Sequence, residues 1–180
     1  MDLQPIRRVV TGHDAQGRAV VAMDGPAASV LHRRSRPGVA LTDLWATDGT
    51  PTARADDYPV DRPVVLHPPP GGTVFRIIQF DPEDPGALAH ADGVTAFEAM
   101  GAAGAVVAGA RHPYMHRTDT VDYAVVLQGS ITMLLDDEDV ELSAGDVVIQ
   151  NGTNHAWANR GCAPCLMAFV LIDAPGDPPP

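Results

Sequence analysis

Residues 111–159 of this chain read RHPYMHRTDTVDYAVVLQGSITMLLDDEDVELSAGDVVIQNGTNHAWAN, and this stretch decides the fold. Its short runs of Val, Ile and Leu are separated by glycine-containing and acidic turns, a pattern that predicts consecutive antiparallel strands. His116, Thr118 and Asp122 lie an even number of residues apart, so an extended chain directs their side chains to one face. We therefore expect these three polar side chains to act together.

The end of the same stretch carries a second polar set, because His155, Trp157 and Asn159 also share one face of an extended segment. If the sheet closes into a barrel, both sets point inward and meet. Two imidazoles and one carboxylate in an apolar interior form a donor set for a divalent metal ion with open coordination positions. The candidate metal ligands are His116, Asp122 and His155.

The composition predicts one globular domain with little helix. At 180 residues the chain is long enough for a substantial core, and 45% of its residues are hydrophobic. Its 17 prolines and 17 glycines are scattered, which favours short strands and turns. The formal net charge is −11 and all 12 basic residues are arginine, so we expect neither nucleic-acid nor anionic-membrane partners.

The sequence predicts a cytoplasmic protein, because it contains neither a signal-peptide pattern nor an apolar run of membrane-spanning length. Its two cysteines, Cys162 and Cys165, form a C-x-x-C pair. A strand-like run follows this pair where a redox motif would open a helix, and a second pair that could complete a zinc site is missing. Both thiols are therefore interpreted as structural or incidental.

The chain order predicts an all-β domain with one short helix. Residues 1–70 are expected to form N-terminal strands and loops, residues 71–173 a barrel, and residues 174–180 a proline-rich tail. Strands are predicted on both sides of a turn at 13–17 and then at 39–46, 64–67, 73–80, 121–127, 130–135, 140–142, 147–150, 155–159 and 166–172. The helix is expected at 94–103, a basic connector at 33–37, and loops at 47–63 and 81–92. Short strands at regular spacing indicate a barrel or a double-sheet jelly roll.

The first polar set resembles the first sequence motif of the cupin superfamily. That motif has His-x-His, then a carboxylate, then a glycine after six further residues. His116 stands at the first histidine, Thr118 at the second, Asp122 at the carboxylate and Gly129 at the closing glycine. Threonine in place of an imidazole and aspartate in place of the commoner glutamate are departures from the pattern.

The second polar set resembles the second cupin motif, with Gly145 opening it, Gly152 in the turn, His155 at the histidine and Asn159 at the asparagine. The segments HRTDTVDY and GTNHAW are similar to those of a subgroup of small single-barrel cupins. The resemblance implies a cupin double-stranded β-helix with an N-terminal β extension. It also implies a homodimer, in which the extension covers a sheet edge of its own or of the partner subunit.

The ligand set that remains after the departures is His116, Asp122 and His155, which suits Fe(II) and tolerates Zn(II) or Mn(II). The resemblance implies a metal-dependent enzyme acting on an organic acid or a polyketide-like carbonyl compound, with decarboxylation or dehydration favoured. His155, Asp122 and Thr118 are the expected catalytic residues. The substrate is expected to contact Trp157, Thr118, Asn159 and also His112, which we place at the mouth of the pocket.

Three alternatives are compatible with the same residues. An Fe(II) oxygenase would use the same ligands and would need dioxygen. A binding module without catalysis would use Thr118, Asp122, His155 and Trp157 as hydrogen-bonding and stacking contacts. A metal-free cyclase or isomerase would use His155 as a general base and would keep its activity in the presence of a chelator.

Overall fold

Short β-strands make up most of the computed structural model, which describes residues 3–33, 35–50, 52 and 63–176. The eleven strands in these ranges are β1 (Arg7–His13), β2 (Ala19–Pro26), β3 (Ser29–His32), β4 (Val39–Thr47), β5 (Thr73–Phe80), β6 (Thr120–Gln128), β7 (Ser130–Leu134), β8 (Asp139–Ser143), β9 (Val147–Asn151), β10 (Ala156–Ala158) and β11 (Cys165–Asp173). They confirm the predicted all-β class.

Two antiparallel sheets form the body of the molecule. The larger sheet has six strands in the order β3-β4-β5-β11-β6-β9, and the smaller has three in the order β10-β7-β8. Side chains from both sheets pack into one hydrophobic cluster, which includes Phe80, Val126, Ile131, Trp157 and Met167. The crossovers between strands distant in sequence and the packing of one sheet on the other agree with the predicted cupin jelly roll.

Alternating burial explains why the chain folds this way along β6. Ala124 and Val126 are 0% and 1% exposed, whereas Tyr123 and Leu127 are 47% and 51% exposed. Successive side chains of a strand point to opposite faces, so this period of two selects one face for the core. Asp122 has the same parity as Ala124 and is therefore carried into the interior with it.

The N-terminal strands divide into two groups. β4 pairs with β5 from Val39↔Phe80 to Thr47↔Thr73, and β3 pairs with β4, so both extend the six-stranded sheet of the barrel. β1 and β2 pair with each other as a separate hairpin. The extension therefore covers the β5 edge within the same chain. The strand β3 was not predicted, because four residues carry too short a pattern.

Several sequence predictions for the connections were wrong. Residues 64–67 form no strand, since prolines stand on both sides and Leu66 instead donates its N–H to the carbonyl of Met100 at 3.1 Å. The structure has two short α-helices where one was expected, α1 (Pro85–Leu88) and α2 (Gly93–Glu98). The side chains of Asp84 and Asp92 cap them.

The predicted helix 94–103 thus begins one residue earlier and ends five residues sooner, and a 3-10 helix follows at Ala103–Ala105. Within the described ranges, no helix combines the length and the apolar character that crossing a membrane requires. Of the predicted tail 174–180, residues 177–180 lie outside the described residues, as do residues 51 and 53–62 of the predicted loop.

A glycine at the turn between β6 and β7 gives a test of this packing. Gly129 has a φ of +78°, and a Cβ added there would lie 2.8 Å from the carbonyl oxygen of Pro164. Gly17 has a φ of +75°, but nothing lies within 4 Å of its Cβ position. We expect Gly17→Ala to lower the free energy of unfolding by about 1 kcal/mol. Gly129→Ala should lower it by about 3 kcal/mol, because it adds a steric overlap. Urea unfolding monitored by circular dichroism measures both, and equal losses would contradict the close approach.

Candidate functional site

The two histidines of the motifs lie side by side. His116 and His155 form an antiparallel bridge in which each backbone N–H donates to the other residue's carbonyl, at 2.9 and 3.0 Å. Directly opposed residues of an antiparallel pair direct their side chains to the same face. Accordingly, the imidazole centroids are 4.5 Å apart with an interplanar angle of 43°.

The Nδ1 atom of each imidazole is already engaged. His116 Nδ1 lies 3.1 Å from the carbonyl oxygen of Tyr114. His155 Nδ1 lies 3.0 Å from the carbonyl oxygen of Thr153 and 2.7 Å from the side-chain nitrogen of Gln150. These contacts leave Nε2 of each ring as the nitrogen available for chemistry in the interior.

Asp122 and Thr118 line the same interior space as the two histidines. The hydroxyl groups of Thr118 and Thr120 are 2.7 Å apart, and Thr120 also hydrogen-bonds the Asp122 carboxylate. Asp122 is buried, and its Oδ1 atom has no hydrogen-bond partner in the described part of the chain. Burial raises the pKa of Asp122 to about 6, although Thr120 and the charge of Arg76 act in the opposite direction.

Burial shifts the histidines the other way. It lowers the pKa of His155 to about 4 and holds the pKa of His116 well below 6.5, with the neighbouring imidazole adding to the shift of His116. Both imidazoles are therefore neutral at pH 7. The site combines two neutral nitrogen bases with a carboxyl group that changes charge close to neutral pH.

These polar groups face one cavity with mostly apolar walls. The cavity encloses about 540 Å³, including the part that opens to solvent. His116, Thr118, Asp122 and His155 line it. Its apolar lining includes Leu41, Leu66, Ile78, Phe97, Trp157 and Phe169. Polar side chains that converge on a concave, largely apolar wall are typical of a site for a small molecule.

The predicted metal ligands share this cavity but do not form a coordination group. Among the residues that the structure describes, no three His, Cys, Asp or Glu side chains come together in a way that could hold a metal ion. Aspartate is one methylene shorter than the glutamate usual at this motif position, so Asp122 reaches less far toward the imidazoles. As placed here, His116, Asp122 and His155 do not fit a three-ligand centre. Metal binding stays a prediction.

Trp157 faces the interior, as the sequence predicts. Its ring is buried, lines the cavity, and stands edge-on to His155 and Phe169 at centroid distances of 5.7 and 5.6 Å. Tyr123 and Arg117 have the opposite parity to Asp122 and His116, and both side chains are exposed.

Asn159 and His112 lie outside the cavity, although both were expected to contact substrate. The Asn159 side chain donates to the carbonyls of Phe80 and Ala163 and accepts from the N–H of Gly161, so all its polar atoms serve the backbone. His112 is buried with its Nε2 atom 3.3 Å from the Glu83 carboxylate. At this motif position Asn159 therefore holds the loop after β10 in place and does not face the cavity.

Two arginines line the cavity without having been predicted to do so. Arg33 and Arg36 belong to the connector between β3 and β4, which the sequence suggested only as a basic turn. The segment HRRSRPG concentrates positive charge in an acidic chain, and this is the feature that could have drawn attention to them. Their position at the cavity depends on the pairing of β4 with β5, which the local sequence pattern does not encode.

Comparison with known proteins agrees with this architecture. Residues 104–172 match the family model described as "Cupin domain". The chain is 32% identical to the Phomopsin biosynthesis cluster protein C' of Diaporthe leptostromiformis, over 96% of this chain and 81% of that protein. It is 28% identical to the cupin-domain-containing oxidoreductase fogC of Aspergillus ruber, over 95% of this chain and 74% of that protein.

Among solved structures, the chain is similar to a Cupin 2 conserved barrel domain protein from Salinispora arenicola. The sequence identity is 14%, the TM-score is 0.43, and the alignment covers 79% of this chain and 82% of that one.

Proposed function

Because this chain belongs to the cupin family, we propose that its cavity is the active site of an enzyme acting on a small molecule of secondary metabolism. The reaction we favour is proton transfer next to a carbonyl group, which leads to decarboxylation, dehydration or isomerisation. The relatives described as biosynthesis-cluster proteins and as cupin-domain oxidoreductases support a biosynthetic role.

One observation carries this proposal. Two imidazoles and a carboxyl group are buried at one cavity, and burial shifts the pKa values of the imidazoles and of the carboxyl group in opposite directions. A structural core has no need of such a set, since buried polar groups that lack partners are costly. Titratable groups whose environments separate their pKa values are typical of sites that carry out acid–base chemistry.

The pKa values suggest which group takes the proton. A general base works best when its pKa lies near the working pH, and the pKa of Asp122, about 6, is closer to neutrality than that of His155, about 4. Asp122 would therefore accept the proton from the carbon beside the carbonyl. The neutral Nε2 atom of His155 would accept a hydrogen bond from a substrate hydroxyl, and Thr118 would orient the reacting oxygen.

In this scheme the electron pair of the broken C–H bond moves onto the carbonyl oxygen and forms an enolate. For dehydration the enolate expels hydroxide from the neighbouring carbon, and the proton held by Asp122 joins the hydroxide to form water. For isomerisation Asp122 returns the proton at another carbon. For decarboxylation the C–C bond to the carboxylate breaks instead and carbon dioxide leaves. The resulting enolate takes its proton from the protonated form of Asp122, which then regains a proton from solvent. Each route develops negative charge among buried side chains, where a hydrogen bond to that charge is stronger than in solvent.

A metal-dependent form of this enzyme is the second candidate. The free Nε2 atoms of His116 and His155 and the unpartnered Oδ1 of Asp122 favour it, because these are the donor atoms of a two-histidine, one-carboxylate site. A bound ion would supply Lewis-acid stabilisation of an oxyanion, and Fe(II) would also permit the oxygenase reaction. The distribution of these residues in the cavity stands against it.

A homodimer is proposed from the exposed face of β6 and β9, where Tyr123, Leu127, Val147 and Ile149 are all solvent-exposed. A contiguous apolar surface of this kind is often covered by another protein surface. The mass in solution, measured by light scattering, distinguishes a dimer from a monomer of 18.9 kDa.

The test of the proposed reaction uses a panel of β-keto acids and β-hydroxy carbonyl compounds in D2O, with deuterium incorporation and product followed by NMR. We expect turnover under nitrogen and in the presence of EDTA. Asp122→Asn should lower kcat/KM by about 10²- to 10⁴-fold and His155→Gln by a similar factor, because each removes a group that contacts the reacting atoms. Asp137→Asn and His90→Gln, both on exposed residues, are the matched controls. Full activity in Asp122→Asn would exclude the proposed base, and a need for dioxygen would favour the oxygenase.

Metal content separates the two candidates directly. Protein purified without added metal is analysed by elemental mass spectrometry, before and after reconstitution with Fe(II), Zn(II) or Mn(II). The metal-free reaction predicts less than about 0.1 equivalent per chain and no gain of activity on reconstitution, since an assembled site of this type retains its ion. Close to one equivalent, lost in His116→Gln but not in His90→Gln, would establish the metal-dependent candidate instead.

A further inference from the structure

Two arginines of the β3–β4 connector hold their guanidinium groups in the cavity. Arg33 and Arg36 stand three residues apart in a turn closed by a backbone hydrogen bond of 3.1 Å from the Arg36 N–H to the Arg33 carbonyl. The Arg33 N–H in turn donates to the Val39 carbonyl at 3.2 Å, which fixes the turn to the start of β4. Both side chains are buried, and both line the cavity that contains Asp122 and His155.

Each guanidinium is positioned by neutral groups. Arg33 Nη2 donates to the Ala96 carbonyl at 2.8 Å, and its guanidinium carbon lies 4.9 Å from the centroid of the Phe97 ring. Arg36 Nη2 donates to the Trp157 carbonyl at 2.7 Å, and its guanidinium carbon lies 4.2 Å from the centroid of the Tyr114 ring. Carbonyl groups and ring faces orient a cation, but they do not neutralise its charge.

No carboxylate forms an ion pair with either guanidinium group within the described residues. Neither Arg33 nor Arg36 has a carboxylate oxygen within 4.0 Å there, and Arg33 Nε is buried without a hydrogen-bond partner. Glu83 is close enough to raise the pKa of Arg36, yet its carboxylate contacts His112. Arg76, in contrast, lines the same cavity with its Nε atom 3.1 Å from the Asp43 carboxylate.

The two guanidinium groups remain charged despite their burial. Desolvation lowers the pKa of Arg33 to about 9 and that of Arg36 to about 10, and the charge of Arg36 contributes to the shift at Arg33. Both values lie above pH 7, so two like charges face the cavity of a chain whose net charge is −11. Uncompensated buried charge is unfavourable, and an anion between the two groups would relieve it.

We propose that Arg33 and Arg36 bind an oxyanion of the substrate, either a carboxylate or the enolate of a dicarbonyl compound, and so determine which small molecules the cavity accepts. Guanidinium groups suit this role because their planar array of donors matches delocalised oxygens. The inference deepens the proposed function, since it assigns the substrate class at the same cavity: a compact organic anion whose remaining atoms are apolar.

The binding test uses probes that cannot report on catalysis. Isothermal titration calorimetry at pH 7 compares benzoate with benzamide, and dimedone, which is an enolate at this pH, with cyclohexanone. At least one anion should bind at least tenfold more tightly than its neutral counterpart, which corresponds to about 1.4 kcal/mol. Preference for benzoate identifies a carboxylate site and preference for dimedone an enolate site. Equal binding within both pairs, or no binding of either anion up to about 10 mM, overturns the inference.

Variants assign the preference to the two arginines. Arg33→Gln and Arg36→Gln should each reduce the affinity for the preferred anion at least tenfold and leave the neutral probe unchanged, while Arg36→Lys should retain part of the preference. The exposed Arg117→Gln is the control for the loss of one positive charge from the chain. Anion preference that persists in folded Arg33→Gln and Arg36→Gln proteins places the anion elsewhere and contradicts the assignment.

Failure of this inference is distinguishable from failure of the proposed function. Anion selectivity that requires both arginines, without any proton transfer on the carbonyl panel, leaves the binding site intact and removes the reaction. Proton transfer that depends on Asp122 but shows no preference for anionic substrates retains the reaction and removes the role given to Arg33 and Arg36.

Discussion

The reciprocal backbone hydrogen bonds between His116 and His155 are the constraint on which the site depends. They join two strand segments that lie far apart in the sequence, and they set both imidazoles on one face at a centroid distance of 4.5 Å. The inward direction of Asp122 is set by β6, which pairs with β9 at Asp122↔Gln150 and with β11 at Asp122↔Leu171. A slip of one residue in either segment would turn these polar groups toward solvent.

The N-terminal strands help to enclose the cavity, and this enclosure affects the pKa values and the charge of its polar side chains. β4 pairs with β5, and the connector before β4 brings Arg33 and Arg36 over the space that His155 and Asp122 face. Removing water from this space raises the pKa of the carboxyl group and lowers that of the imidazoles. The two guanidinium groups in the same space have no carboxylate partner among the described residues, and this favours the binding of an anion. The extension of the barrel sheet by β3 and β4 therefore contributes both to the enclosure of the cavity and to its charge.

Period-two burial and turn spacing are local properties, and they were sufficient to predict the all-β class. That the two motifs meet followed from the expected closure of a barrel, which the resemblance to cupins implies. The sequence identified His116, Thr118, Asp122, His155 and Trp157 as inward-facing, and all five line the cavity. It did not show whether Asp122 reaches the imidazoles, which depends on distances across the barrel. Asn159 has the residue type of a substrate contact, yet its amide is used by three backbone groups that no local pattern reveals. Arg33 and Arg36 were missed because only the pairing of β4 with β5 places their turn over the cavity.

The central claim is that Asp122 is withdrawn from water in the cavity that two neutral imidazoles also line. The most direct measurement is a pH titration of its carboxyl carbon by ¹³C NMR, with the resonance assigned by its loss in Asp122→Asn. The structure predicts a pKa of about 6, because the buried carboxyl group holds its proton more tightly than one in water. A pKa near the ordinary value of about 4 would show a solvated carboxylate and would contradict the account.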